Sequence, residues 1–235
     1  MYHLNDENLG RYVSLNTFKK RLFRHLNILY RTAASLLSPF FQKDGVILMF
    51  HRVLQKDQKS TYLGLMGLEV TQEIYVQTIH YFRNRCFVFL SFADFAARYR
   101  QKSLPKKFVV VTFDDGYVDN ATFVGPFMAK EQLPWTLFLN SGFCDGTLPC
   151  WWYGLGALLD VRDSVNTRGL TPDSTLKTFE LRSIQDRNST YLELREIIHG
   201  LWAREEQRKK VVAWFHQNNI DLFKITSKVA TGEWM

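Results

Sequence analysis

The 235 residues read as an α/β protein built on parallel strands. Short apolar runs alternate with stretches of helical periodicity, the pattern left by strands joined through helical crossovers. One run stands at the centre of that pattern. From Phe108 to Phe113 the chain is apolar on nearly every position rather than every second one, as in a strand buried on both faces. That strand runs directly into Asp114, Asp115 and Gly116, so two adjacent carboxylates fall at its carboxyl end. Active sites of parallel α/β folds form at that end of the sheet.

Residues 1–13 are polar and carry no pattern. Residues 14–41 have the spacing of one amphipathic helix. Leu15, Phe18, Leu22, Leu26 and Leu29 recur every three or four positions, while Lys19, Lys20, Arg21, Arg24 and Arg31 stay off that stripe. Such a helix either packs on the domain or lies on an anionic membrane surface. Its basic residues interrupt the apolar core that a signal peptide needs, and no run is long enough to span a membrane.

A short buried strand is expected over residues 46–50, ending at His51. The polar stretch 54–67 reads as an exposed loop. Thr71 is expected to cap a helix reaching about Asn84, with Ile74, Thr78, Ile79 and Phe82 inward. Residues 86–90 read as a strand and Ser91 as the start of a further helix. Past Tyr117, a helix is expected from about Asn120 to Glu131, then a strand over 133–140 and a loop from Ser141 to Trp151. Residues 163–189, broken by Pro172, Asn and Ser, read as irregular, and helix returns from Thr190 to about Asn218.

Composition sets outer limits. Hydrophobic residues make up 46% and charged residues 23%, which places the chain among globular domains rather than disordered or membrane-spanning ones. The net charge of +7 suits an anionic surface such as a membrane or an acidic glycan, and no nucleic-acid motif accompanies it. Three cysteines, an odd number, give no disulfide framework and point to a reducing compartment. With no leader sequence visible, the expected location is the cytoplasm or the inner membrane surface.

A polar turn after a strand is the plain account of Asp-Asp-Gly, because Asp and Gly favour turns for local reasons. A chemical account stands beside it. Two carboxylates this close do not both ionise comfortably without a cation or a proton between them. A phosphotransfer aspartate would need a second Asp two positions on, and Gly116 stands there instead.

The run Thr112-Phe113-Asp114-Asp115-Gly116-Tyr117 resembles the first motif of the polysaccharide deacetylase family, the NodB homology domain. Val46 to Val53, with its His51-Arg52-Val53 end, resembles the family's first strand. Asp119-Asn120, Pro126, the strand 135–140, Ser141-Gly142-Phe143 and Trp151-Trp152 extend the likeness, which covers roughly residues 45–160. The resemblance implies a partial (β/α) barrel over residues 45–235, with a helical insertion at about 160–225 and an added amphipathic segment over 1–44. It also implies metal-dependent removal of N-acetyl groups from a polysaccharide or surface glycan. Asp114 would be the general base and Asp115 a ligand of a divalent metal, zinc by family habit. His51 is a second candidate ligand. Tyr117, Trp151 and Trp152 are candidate sugar contacts near the mouth.

The chain departs from the family where the metal is concerned. The family's other ligands come from a His-Ser/Thr-x-x-His motif, and none of His3, His25, His51, His80, His199 or His216 has a histidine within four positions. The later motifs that supply an Arg partner and an oxyanion-binding amide are not visible. The sequence is therefore expected to be the amino-terminal, C-terminally incomplete portion of such a domain. Two functions stay open: a deacetylase-like hydrolase, or a catalytically silent remnant that binds glycan or a partner.

Overall fold

The computed structural model describes residues 44–230. The expected helix over 14–41, and the membrane contact assigned to it, lie outside the described residues. So do residues 231–235.

The sheet is organised around β5 (Lys107–Asp115). Val109, Val110, Val111 and Phe113 are fully buried, as expected of a strand covered on both faces. Three strands pair with it: β1 (Asp44–Phe50), β4 (Val88–Leu90) and β6 (Thr136–Leu139). β4 runs parallel to β5 along Phe108–Val110, and β6 runs parallel along Thr112–Asp115. The lower half of the central strand is thus held by β4 and its carboxyl half by β6. A second parallel pair joins β2 (Arg52–Leu54) to β3 (Glu69–Thr71).

The alternation of strand and helix holds, but the described strands form an open sheet and two separate pairs rather than a closed barrel. β1 differs from the buried strand expected. Its residues alternate between half-buried and exposed, and Met49 is 62% exposed, so one face carries the packing. The stretch 54–67 also holds more than an exposed loop: Tyr62 and Leu65 are core residues.

Helix α1 (Gln72–Asn84) is capped by Thr71, whose hydroxyl accepts from the Ile74 amide. Its buried residues are Tyr75 and Ile79, whereas Ile74 faces outward at 52% exposure. The choice falls on Tyr75 because its ring meets Phe50, Phe113 and Phe127 edge-on beneath the sheet. Helix α2 (Phe92–Arg100) is capped by Ser91. Past the central strand, residues 120–124 form a turn of π-helix that leads into α3 (Gly125–Lys130), with Pro126 in its first turn.

Beyond β6 come the short helix α4 (Ser141–Cys144) and then α5 (Trp151–Asp160). The span expected to be irregular contains an antiparallel pair, β7 (Ser164–Asn166) with β8 (Thr178–Glu180). The long helix expected from Thr190 begins earlier and breaks in two. α6 (Ile184–Trp202) starts at a Ser183–Asp186 capping box, and α7 (Glu205–Gln217) follows after Ala203 and Arg204. α8 (Leu222–Val229) is the last described helix.

Two cores result. One lies against the sheet, built from Val53, Tyr75, Ile79, Val109, Val111, Phe113, Val124 and Met128. The other joins α5 to α8 through Leu155, Leu158, Tyr191, Ile198, Trp214, Phe215 and Leu222. A small third cluster of Tyr117, Phe143, Cys150 and Ala230 sits at the end of β5. No described helix is long and apolar enough to cross a membrane.

Candidate active site

The end of β5 is a left-handed corner. Asp115 has φ of 75° and Gly116 φ of 85°. Glycine takes that conformation freely, but at Asp115 it costs about 1–3 kcal/mol, so the surroundings must hold it. Three contacts do so. The Gly116 amide donates to the Asp114 carbonyl at 3.0 Å, and the Asn140 amide donates to the Asp115 carbonyl at 3.2 Å. Tyr117 then makes an antiparallel bridge with Ala230. Asp114 lies opposite Phe138 and Asp115 opposite Leu139 in the β5–β6 register, and both carboxylate residues are half-buried.

The segment that follows ties this corner to the end of β1. Asp119, buried, accepts from Arg52 Nε at 2.9 Å and from the Val53 amide at 2.6 Å. The Asn120 side-chain amide donates to the His51 carbonyl at 2.9 Å. His51, half-buried at the bend between β1 and β2, is therefore held at the same end of the sheet as the two aspartates.

Arg52 carries the network further. Its guanidinium lies 5.3 Å from the Tyr117 ring centroid and 5.1 Å from that of Tyr153. The Tyr153 hydroxyl donates to Glu69 at 3.0 Å, and Glu69 also accepts from the Ser60 amide at 2.8 Å. Burial pushes the Tyr117 and Tyr153 phenols well above their ordinary range, so both stay protonated donors. Burial likewise pushes the Cys150 thiol up to about 12. Arg52 lines two cavities. One, of about 400 Å³, includes Asp119, Gln72 and Lys228, and the other, of about 450 Å³, includes Glu69, Tyr153 and Asp160.

Of the expected sugar contacts, only Trp152 has partial exposure. Tyr117 is fully buried, with its hydroxyl accepting from Trp152 Nε1 at 3.2 Å, and Trp151 is packed in the helical core. Aromatic faces covered by protein on this scale have none free for a sugar ring. The buried polar residues Arg52, Glu69 and Asp119 were not among the expected site residues. Part of the signal was present, because Arg52 and Asp119 both fall in stretches that carry the family resemblance.

Residues 101–167, from the end of α2 through β7, match the family model described as polysaccharide deacetylase. This stretch is similar to the polysaccharide deacetylase family. The matched stretch contains Asp114, Asp115 and Tyr117. Among solved structures, a de-N-acetylase from Aggregatibacter actinomycetemcomitans is similar at 20% identity and a TM-score of 0.37, over 43% of this chain and 39% of that one. The BpsB deacetylase domain from Bordetella bronchiseptica is similar at 19% identity and a TM-score of 0.29, over 42% of this chain and 38% of that one. The likeness thus spans about two fifths of each of those structures. No curated protein sequence matches the chain.

The metal that the deacetylase resemblance implies finds too few ligands here. Among the described residues no group of three or more His, Cys, Asp or Glu side chains is placed to hold a metal ion. A catalytic divalent site keeps three protein ligands and one open position. Asp115 and His51 gather no third such residue, so the described donor set does not fit a catalytic zinc site.

Proposed function

We propose that this chain is a polysaccharide de-N-acetylase-like protein that acts on the acetamide groups of an N-acetylated glycan, with Asp114 as general base. The observation that carries this reading is the strained Asp115–Gly116 corner at the carboxyl end of β5, inside the segment that matches the family model. Backbone strain of this kind persists only where the surrounding structure over-determines it, and it gathers at functional sites. In this reading Asp114 takes the proton from a water as that water adds to the acetamide carbon, and the proton passes to the nitrogen as the C–N bond breaks, releasing acetate and the free amine and restoring the carboxylate. Asp115 is the second carboxylate of the corner, beside it in the chain. Trp152 is the aromatic edge available to a sugar ring at this end of the sheet. The buried Arg52–Asp119 pair holds His51 and the aspartate corner in one rigid frame.

A second reading rests on the incomplete ligand set: a glycan-binding remnant without turnover. Acetate release from N-acetylglucosamine oligomers separates the two. The hydrolase reading predicts release that falls about 100-fold or more in Asp114→Asn, the scale of a lost general base. Glycan binding with no acetate from the unaltered chain would leave the remnant reading in its place.

A further inference from the structure

A cavity of about 620 Å³ opens between the 147–149 turn and the helices α7 and α8, away from the aspartate corner. Its volume falls within the range of about 300–1,000 Å³ typical of small-molecule sites. Leu148, Pro149, Trp202, Val212 and Phe223 line it with apolar surface. Phe223, at the rim, is 45% exposed.

The charges lie along one face of α7. Glu205, Lys209 and Ala213 follow at intervals of four, and Arg208, Val212 and His216 do the same one row over. Lys209 is paired with Glu205 at 3.6 Å. Arg208 has no ion-pair or hydrogen-bond partner for its side chain among the described residues, so the mouth carries one unmatched positive charge. An apolar chamber under an unpaired guanidinium selects a ligand with an apolar body and one anionic group.

We propose that this cavity binds a small amphiphilic anion, an aryl or acyl body bearing one carboxylate or sulfonate, with Arg208 as the recognising cation. The apolar body fills the space between Trp202, Val212 and Phe223. The anionic group meets Arg208, and His216 offers a further hydrogen-bond donor at the mouth. This site does not depend on the deacetylase reading.

The test titrates the purified full chain with 1-anilinonaphthalene-8-sulfonate, followed by its fluorescence. N-phenyl-1-naphthylamine, the same body without the charge, serves as control. One dye should bind per chain, dodecanoate should displace it, and the neutral analogue should bind about tenfold more weakly. Arg208→Gln should weaken the sulfonate about tenfold and leave the neutral analogue unchanged. Ala213→Trp, at an exposed lining position, should remove both without lowering the melting temperature. Equal affinity for the two dyes, or binding indifferent to both substitutions, overturns the proposal. So does dye binding that stays while the chain attaches to phosphatidylglycerol vesicles through the same face, which would make it a membrane surface.

Discussion

Removing the Asp119 carboxylate tests how the site end of the sheet is held. In Asp119→Ala the Arg52 guanidinium, whose side chain is only 10% exposed, loses its sole ion-pair partner among the described residues. The Val53 amide, 2.6 Å from the same carboxylate, loses its acceptor. Breaking one side of a buried ion pair costs about 3–5 kcal/mol, because the remaining charge stays desolvated. For a chain of this size that corresponds to a fall of roughly 6–20 °C in melting temperature. The part of the loss that belongs to the pair is separable. Arg52→Met combined with Asp119→Ala removes both charges together, so the double variant should be less destabilised than the sum of the singles by about 0.5–3 kcal/mol. Urea denaturation followed by tryptophan fluorescence measures all four chains of the cycle. A loss below about 1 kcal/mol in Asp119→Ala, or strict additivity in the double variant, would refute the view that this pair clamps β2 to the turn after β5.

The remaining predictions concern strain and alkaline stability. Asp115→Gly should be more stable than Asp115→Ala by about 1 kcal/mol, since only glycine adopts φ of 75° without penalty; equal urea midpoints would deny the strain. Burial raises the folded-state pKa of Cys150 and of Tyr75, Tyr117 and Tyr153. In the unfolded chain these groups ionise near about 8.5 and 10, so the stability they contribute is fully present below about pH 8.5 and declines as pH rises toward 12. A urea midpoint that stays level from about pH 8 to pH 11 would contradict this. In the native chain at about pH 8, exposed Cys86 should react with iodoacetamide well before buried Cys150.

Local signals in the sequence located most of the elements near the site. The apolar run 108–113 is the buried central strand, and Thr71 and Ser91 cap the helices that follow them, because these features depend on neighbouring residues alone. Features set by long-range contact were hidden. Tyr75 displaces Ile74 from the inner face of α1 because four aromatic rings receive it, and those rings lie 25 or more positions away in sequence. The β7–β8 pair consists of Ser, Val, Asn and Thr, Phe, Glu, too short and polar to show periodicity, and it is made by pairing across an intervening loop. The helix spanning 184–217 breaks at Ala203–Arg204, and the one local signal is Gly200 in the last turn of α6.

At the site, the aspartate corner was legible because strand, carboxylates and glycine are contiguous. The clamp around it was not, since Arg52 and Asp119 are 67 residues apart and their pairing depends on how β2 meets the turn after β5. The aromatic residues were misplaced for a related reason. Trp151 and Tyr117 share the composition of a sugar platform, but the helical core and the Ala230 bridge cover them.

The most direct test of the central claim compares the unaltered chain with Asp114→Asn, measuring glycan affinity and acetate release on the same samples. Asp114 as general base predicts that the variant binds N-acetylglucosamine oligomers with unchanged affinity, unfolds at the same urea concentration, and releases acetate about 100-fold or more slowly. Equal acetate release from the two chains would contradict it.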